Sequence, residues 1–366
     1  MKKRKNKYSY FSASRLFIML FIVILAVWGV FRFSESFSRV YSNEVASADV
    51  STSTQPILAL DTAAYDHKLL ELAFATTTIT NRMIASSTAS TSKLHWPVKT
   101  VYPNAGAILP FNRVVAYYGN FYSKGMGILG QYDSATVLQK LTAEVKNWQA
   151  ADPSTPVIPA IDYIAVTAQG SAGKDGKYRL RMPDSQIDQA IAMAAKVHGI
   201  VILDVQVALS NLQTELPLLE KYLKMPQVHL AIDPEFAMHN GAKPGTVIGS
   251  FDARDVNYAA TYLASLVKAN NLPPKILIVH RFTQAMVTNY KNIKPLPEVQ
   301  IVMDMDGWGG AAKKIDTYQG FIASEPVQFT GFKLFYKNDF KNPGSKIMTP
   351  AQVLKLKPQP IFIQYQ

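Results

Sequence analysis

The chain has 366 residues, 48% of them hydrophobic, so it can bury a substantial core and hold either two ordinary domains or one barrel with appendages. It contains no cysteine, which excludes structural disulfides, thiolate metal sites and a lipid-modified cysteine. The net charge of +12 is uneven: residues 1–48 carry eight basic and two acidic side chains and so account for half of it.

Residues 1–15 form a basic tail with Lys2, Lys3, Arg4, Lys5, Lys7 and Arg15. The chain is then uncharged and apolar over 16–31, and the span 16–33 reads as a transmembrane signal anchor, close to the ~17–25 residues a spanning helix needs. Only Arg32 and Arg39 follow before Ala48, so the positive-inside rule keeps the N-terminus cytoplasmic and exports the rest. Ala46, Ser47 and Ala48 offer a cleavage site whose use would release a secreted product. They lie far beyond the apolar run, which favours an uncleaved anchor at the cell membrane. Residues 34–95 read as a Ser/Thr-rich linker with one short helix over 61–75.

Across the remaining domain, 96–366, short apolar runs recur at 114–118, 157–162, 200–206, 228–233, 275–280, 300–304, 331–336 and 360–364, with a helical pattern between each pair. Asp133-Ser134, Pro183-Asp184, Asp252 and Thr349-Pro350 supply helix starts. Eight strands alternating with helices predict an α/β fold, a (β/α)8 TIM barrel, with a doubly wound open sheet as the rival. The barrel is preceded by the transmembrane helix and linker. No residues follow the eighth run that could form the final barrel helix, so the helix at 61–75 or the segment 96–110 is expected to cover the last strand.

In such barrels the reacting groups stand at the C-terminal ends of the strands. Alternation gives the facing: Val201, Leu203, Val205, Leu230, Ile232, Ile301, Met303 and Met305 point outward to the helices, leaving Asp204, Gln206, Asp233, Glu235, Asp304 and Asp306 for the mouth. Asp162, His280, Lys333 and Gln364 join them. Like charges held together raise one another's pKa, which keeps one carboxyl protonated as an acid beside an ionised partner. Aromatic residues near strand ends, among them Tyr118, Phe236, Trp308 and Tyr336, can stack on sugar rings. Carboxylates with aromatics point to glycoside hydrolysis, with Glu235, Asp233, Asp204 and Asp306 as catalytic candidates and Asp162, Gln206, His280, Trp308, Lys333, Tyr118, Tyr336 and Gln364 as substrate-binding ones.

The segment AIDPEF, with Asp233-x-Glu235, resembles the Asp-x-Glu strand end of barrel-type muramidases and, more loosely, the acidic fourth-strand motif of chitinase-type barrels, from which Ala231 departs. That resemblance implies a catalytic Glu235 with Asp233 as its electrostatic partner. With VVAYYGN, ILDVQ, IVHRFT, MDGWG and GFKLFY, the whole domain resembles a group of exported bacterial (β/α)8-barrel proteins of unknown function. The expectation is an enzyme acting on a cell-surface or environmental polysaccharide, held to the membrane by its N-terminal helix, with no cofactor, no metal and no nucleic-acid partner. A non-catalytic carbohydrate-binding barrel and a metal-dependent hydrolase or phosphodiesterase are the alternatives.

Overall fold

The computed structural model describes residues 59–74, 96–98, 100–341 and 344–366. The basic tail, the anchor and most of the linker lie outside the described residues. Among those described, no helix is long and apolar enough to cross a membrane.

Eight strands form the barrel: β1 (Arg113–Gly119), β2 (Val157–Ala168), β3 (Ile200–Val205), β4 (Val228–Ile232), β5 (Lys275–Arg281), β6 (Val299–Met305), β7 (Phe329–Leu334) and β8 (Phe362–Tyr365). Each pairs in parallel with its neighbours in the chain, and β1 pairs with both β2 and β8. That second pairing closes the sheet and rules out the open alternative. Their Val- and Ile-rich composition fits strands buried on both faces. Residues Val201, Leu203, Leu230, Ile232, Ile301 and Met303 pack outward with the helices. Val114, Ala116, Ala160, Ile202, Ala231, Ile278, Val302 and Phe362 fill the interior.

Four helices start where the sequence places them. Asp133 caps α2 (Ser134–Ala151), Pro183 precedes α3 (Asp184–Ala195), Asp252 makes a capping box for α4 (Ala253–Asn270), and Thr349 does so for the short helix Pro350–Val353. The expectation of a helix in every crossover fails between β5 and β6. Lys294-Pro295-Leu296-Pro297 interrupts that segment, and in place of a helix the short turns Gln284–Met286 and Tyr290–Asn292 and the two-residue strand Val287–Thr288 form there, because proline lacks the N–H a helix interior needs. The long α4 packs on both β5 and β6 in its place. Beyond β6 the chain forms α5 (Ala311–Thr317), continued by a wider helical stretch Tyr318–Ala323.

The expected covering of the last strand holds at its N-terminal end alone. Helix α1 (Thr62–Ala73) does form, capped by Asp61, but Tyr65 and Leu72 pack with the barrel's interior residues. The Gln359 N–H donates to the Leu72 carbonyl at 2.6 Å, and Gln300 bonds both polar atoms of the Leu109 backbone. Both segments therefore seal the N-terminal end of the barrel. On the outer side of β8, Tyr365 meets α2, whose buried Trp148 donates to its hydroxyl at 3.0 Å.

Candidate active site

At the C-terminal end of the barrel the interior turns polar. One inward residue from each strand end makes a ring: Tyr118, Asp162, Asp204, Asp233, His280, Asp304, Lys333 and Gln364, all buried. No side chain fits at position 331 below them, because a Cβ there would collide with the Asp304 carboxylate and the Phe362 ring.

His280 organises one half of this ring. Its Nδ1 lies 3.2 Å from Asp304 Oδ2 and 3.5 Å from Asp306 Oδ2, and its Nε2 lies 3.3 Å from Asp204 Oδ2. Burial disfavours the imidazolium, but the facing Asp204 and Asp304 outweigh it and hold the His280 pKa well above its ordinary value. Gln364 Nε2 donates to Asp162 Oδ2 at 2.6 Å, and burial, aided by the Asp204 charge, pushes Asp162 up to about 8.

Above the ring opens a cavity of about 480 Å³. Tyr118, Gln206, Asp233, Glu235, Asp306, Trp308 and Lys333 line it. Gln206 Nε2 lies 3.3 Å from both the Tyr118 hydroxyl and Asp233 Oδ2, while its Oε1 accepts from the Ala168 N–H. Lys333 Nζ pairs with Asp306 Oδ1 at 3.0 Å and sits 3.8 Å from the centroid of the Tyr118 ring. Asp233 Oδ1 accepts the Glu235 backbone N–H at 3.0 Å, the cap of a short turn whose first residue is Pro234. That pairing and the fixed proline φ aim Glu235 into the cavity.

Glu235 differs from its neighbours. It is only half-buried, and among the described residues no side chain hydrogen-bonds its carboxyl. Burial, then repulsion from Asp306, pushes it up to about 7. Asp233 is raised well above the carboxylate range, chiefly by burial.

Seven of the twelve sequence candidates thus share one cavity. Asp162, Asp204, His280 and Gln364 do not line it; they form the buried layer beneath, because each sits one pleat earlier on its strand. Tyr336 lies elsewhere. Its hydroxyl bonds Tyr117 and Glu144 at 2.9 Å and its ring stacks on Tyr365, on the helix side of β8. Arg281 faces away from His280 and ties down the following loop through Glu325 and backbone carbonyls. Phe282, Phe335 and Lys313, which line the cavity, were not anticipated. Carrying the strand alternation two residues past His280 and Lys333 reaches both phenylalanines; Lys313 comes from α5, where strand parity says nothing. Among the described residues no three His, Asp or Glu side chains are grouped to hold a metal ion.

The buried carboxyls make stability depend on pH. Asp162, Asp233 and Glu235 bind a proton more tightly in the folded than in the unfolded chain, where such groups titrate near ~4, so their contribution is complete below that and is lost as pH rises, up to about 7 for Glu235 and about 8 for Asp162. The His280 cation acts in the same direction. Buried, neutral His229 acts oppositely only below its ordinary pKa of ~6.5. Tm is therefore expected to fall between pH 6.5 and 8, and Asp162→Asn should flatten that slope; a Tm that rises over this window contradicts the assignment.

No protein family and no curated protein matches the sequence. The muramidase and chitinase likeness accordingly stays confined to the few residues around Asp233 and Glu235. Solved structures give partial likenesses. One is to a cellulase, Cel5C_n, at 16% identity and a TM-score of 0.36, covering 61% of this chain and 65% of that one. Another is to a GH18 chitinase from Pseudoalteromonas aurantia, at 10% identity and 0.34, covering 70% and 94%. A third is to the GH5 xyloglucan-specific endo-beta-1,4-glucanase XEG5A from a metagenomic library, at 11% and 0.31, covering 62% and 77%. The chain thus spans just under two thirds of the cellulase it matches.

Proposed function

We propose that the barrel is a glycoside hydrolase acting on a polysaccharide, with Glu235 as general acid and Asp306 as the second carboxylate. The observation that carries this is Glu235 itself: a carboxyl open to the cavity, with no side-chain partner among the described residues, and pushed up to about 7 by burial and the nearby Asp306. A group so poised keeps its proton up to about pH 7 and is placed to give it. Asp306 shares the cavity and is paired with Lys333. The sequence left the second role between Asp306 and Asp204, and the buried position of Asp204 against His280 favours Asp306. In the proposed step the glycosidic C–O bond breaks, the Glu235 proton goes to the leaving oxygen, and Asp306 either attacks the anomeric carbon or takes a proton from the attacking water. Gln206 and Asp233 position Glu235. Release of reducing ends from polysaccharides by the full chain, lost in Glu235→Gln, tests the reading; binding with no turnover by wild type would leave a carbohydrate-binding barrel instead.

The same proposal places the barrel outside the cell, tethered by residues 16–33. The basic tail before the apolar run and the scarcity of positive charge after it support this. The full chain should stay in the membrane pellet after alkaline carbonate washing and be digested by protease added to intact cells. Recovery in the supernatant would overturn the tether, and protection from protease would overturn the orientation.

A further inference from the structure

We infer that the glycan taken by this pocket is acidic, an anionic group on the sugar being held at the rim by Lys313 and Lys341 beside Trp308; this rests on the polysaccharide reading above. The Trp308 ring, 44% exposed at the cavity wall, has two ammonium groups against it: Lys313 Nζ at 4.9 Å and Lys341 Nζ at 4.8 Å from the centroid. Neither lysine pairs with a carboxylate among the described residues. A neutral sugar seeking to stack on this ring meets charges already there, whereas an acidic sugar meets two counter-charges.

The arrangement is built into the loop. Gly309 has a φ of +137°, and a Cβ there would stand 3.1 Å from Lys313 Cδ, so any other residue would both strain the backbone and press the lysine stem off the ring. The Gly309 N–H donates to Asp339 Oδ1 at 2.9 Å, and Lys314 Nζ donates to the Gly307 carbonyl at 2.9 Å, which fixes the loop on both sides of Trp308. Two like charges sharing one ring lie within roughly a Debye length of each other, ~10 Å at 0.1 M salt, and repel until an anion joins them. Deeper in the cavity Lys333 is already matched by Asp306, so the unmatched positive charge belongs to the rim.

Affinity electrophoresis of the full chain in detergent tests this, using Glu235→Gln so that no polymer is cut. The probes are polygalacturonate for carboxylates, dextran sulfate for sulfate esters and an unsubstituted β-glucan for neutral sugars. Retention is expected with one or both acidic polymers, and their relative strength identifies the anion. Adding Lys313→Gln and Lys341→Gln should weaken that retention about tenfold at low salt, with no loss of β-glucan retention. Equal retention by all three polymers, or acidic retention indifferent to the two lysines, overturns the inference. Turnover is measured separately with wild type: selective, lysine-dependent retention without any hydrolysis sinks the hydrolase reading, while lysine-independent hydrolysis of neutral glycans sinks this inference alone.

Discussion

Glu235→Gln is expected to lower kcat/KM on a polysaccharide by about 10²–10⁴-fold, the contribution of a well-placed general acid. The amide has the shape of the carboxylic acid and cannot give up a proton to the departing oxygen. No side chain bonds the Glu235 carboxyl among the described residues, so the substitution strands no partner and the fold should be kept. Above pH 7 it should slightly raise Tm, because it removes a carboxyl that is costly to ionise where it stands. The pH profile supplies a second test. A general acid works while protonated, so wild-type kcat/KM should hold below about pH 7 and fall above it as Glu235 loses its proton. The residual rate of the Gln variant should lack that alkaline limb.

Leaving groups separate the two carboxyls. On an aryl glycoside whose leaving group departs as a stable anion, protonation matters little in the bond-breaking step, so Glu235→Gln should lose far less there than on the polymer. Asp306→Asn should damage both substrates alike, because attack on the anomeric centre, or activation of water for it, is needed whatever leaves. Equal losses in the Glu235 variant on both substrates would remove the general-acid role.

Much of this cavity follows from strand periodicity alone. Once eight parallel runs are recognised, the outward Val, Leu, Ile and Met residues leave Asp204, Asp233, Asp304 and Asp306 facing the axis, and the structure has them there. Periodicity gives facing without height. It does not separate Asp204, sealed against His280, from Asp306, open to the cavity, although the two stand on neighbouring levels of one interior. Tyr336 shows a different failure: it stands next to a strand end, but alternation from the inward Lys333 and Phe335 sends it outward, so nearness to a strand end alone does not bring a side chain to the mouth. The bottom of the barrel was illegible for a third reason. A short amphipathic helix such as Thr62–Ala73 announces that it will bury one face, but several unfilled faces compete for it, and only the interior packing of Tyr65 and Leu72 decides.

The rim loop depends on a buried ion pair that none of these patterns exposes, and breaking it should have the largest effect on stability. Lys314 Nζ, 1% exposed, donates to the carbonyls of Gly307 and Lys333 at 2.9 and 2.7 Å and lies 3.0 Å from Asp339 Oδ2. Asp339 in turn accepts the N–H groups of Gly309 and Phe335 at 2.9 and 3.0 Å. One pair thus joins the loop after β6, which bears Trp308, to the turn after β7, whose strand bears Lys333. Lys314→Met should cost about 3–5 kcal/mol, the usual consequence of leaving one member of a buried pair without its counter-charge. Urea unfolding of wild type and variant measures it. Asp339→Asn keeps an acceptor for the two N–H groups while removing the charge, so the double variant Lys314→Met with Asp339→Asn should recover a substantial part of the loss. If the two changes are simply additive, the pair is not coupled and the loop is held by its other contacts. Where the coupling is found, the single variant should also weaken glycan retention with Lys313 and Lys341 intact, because the cations that border Trp308 stand on the two segments this pair holds together.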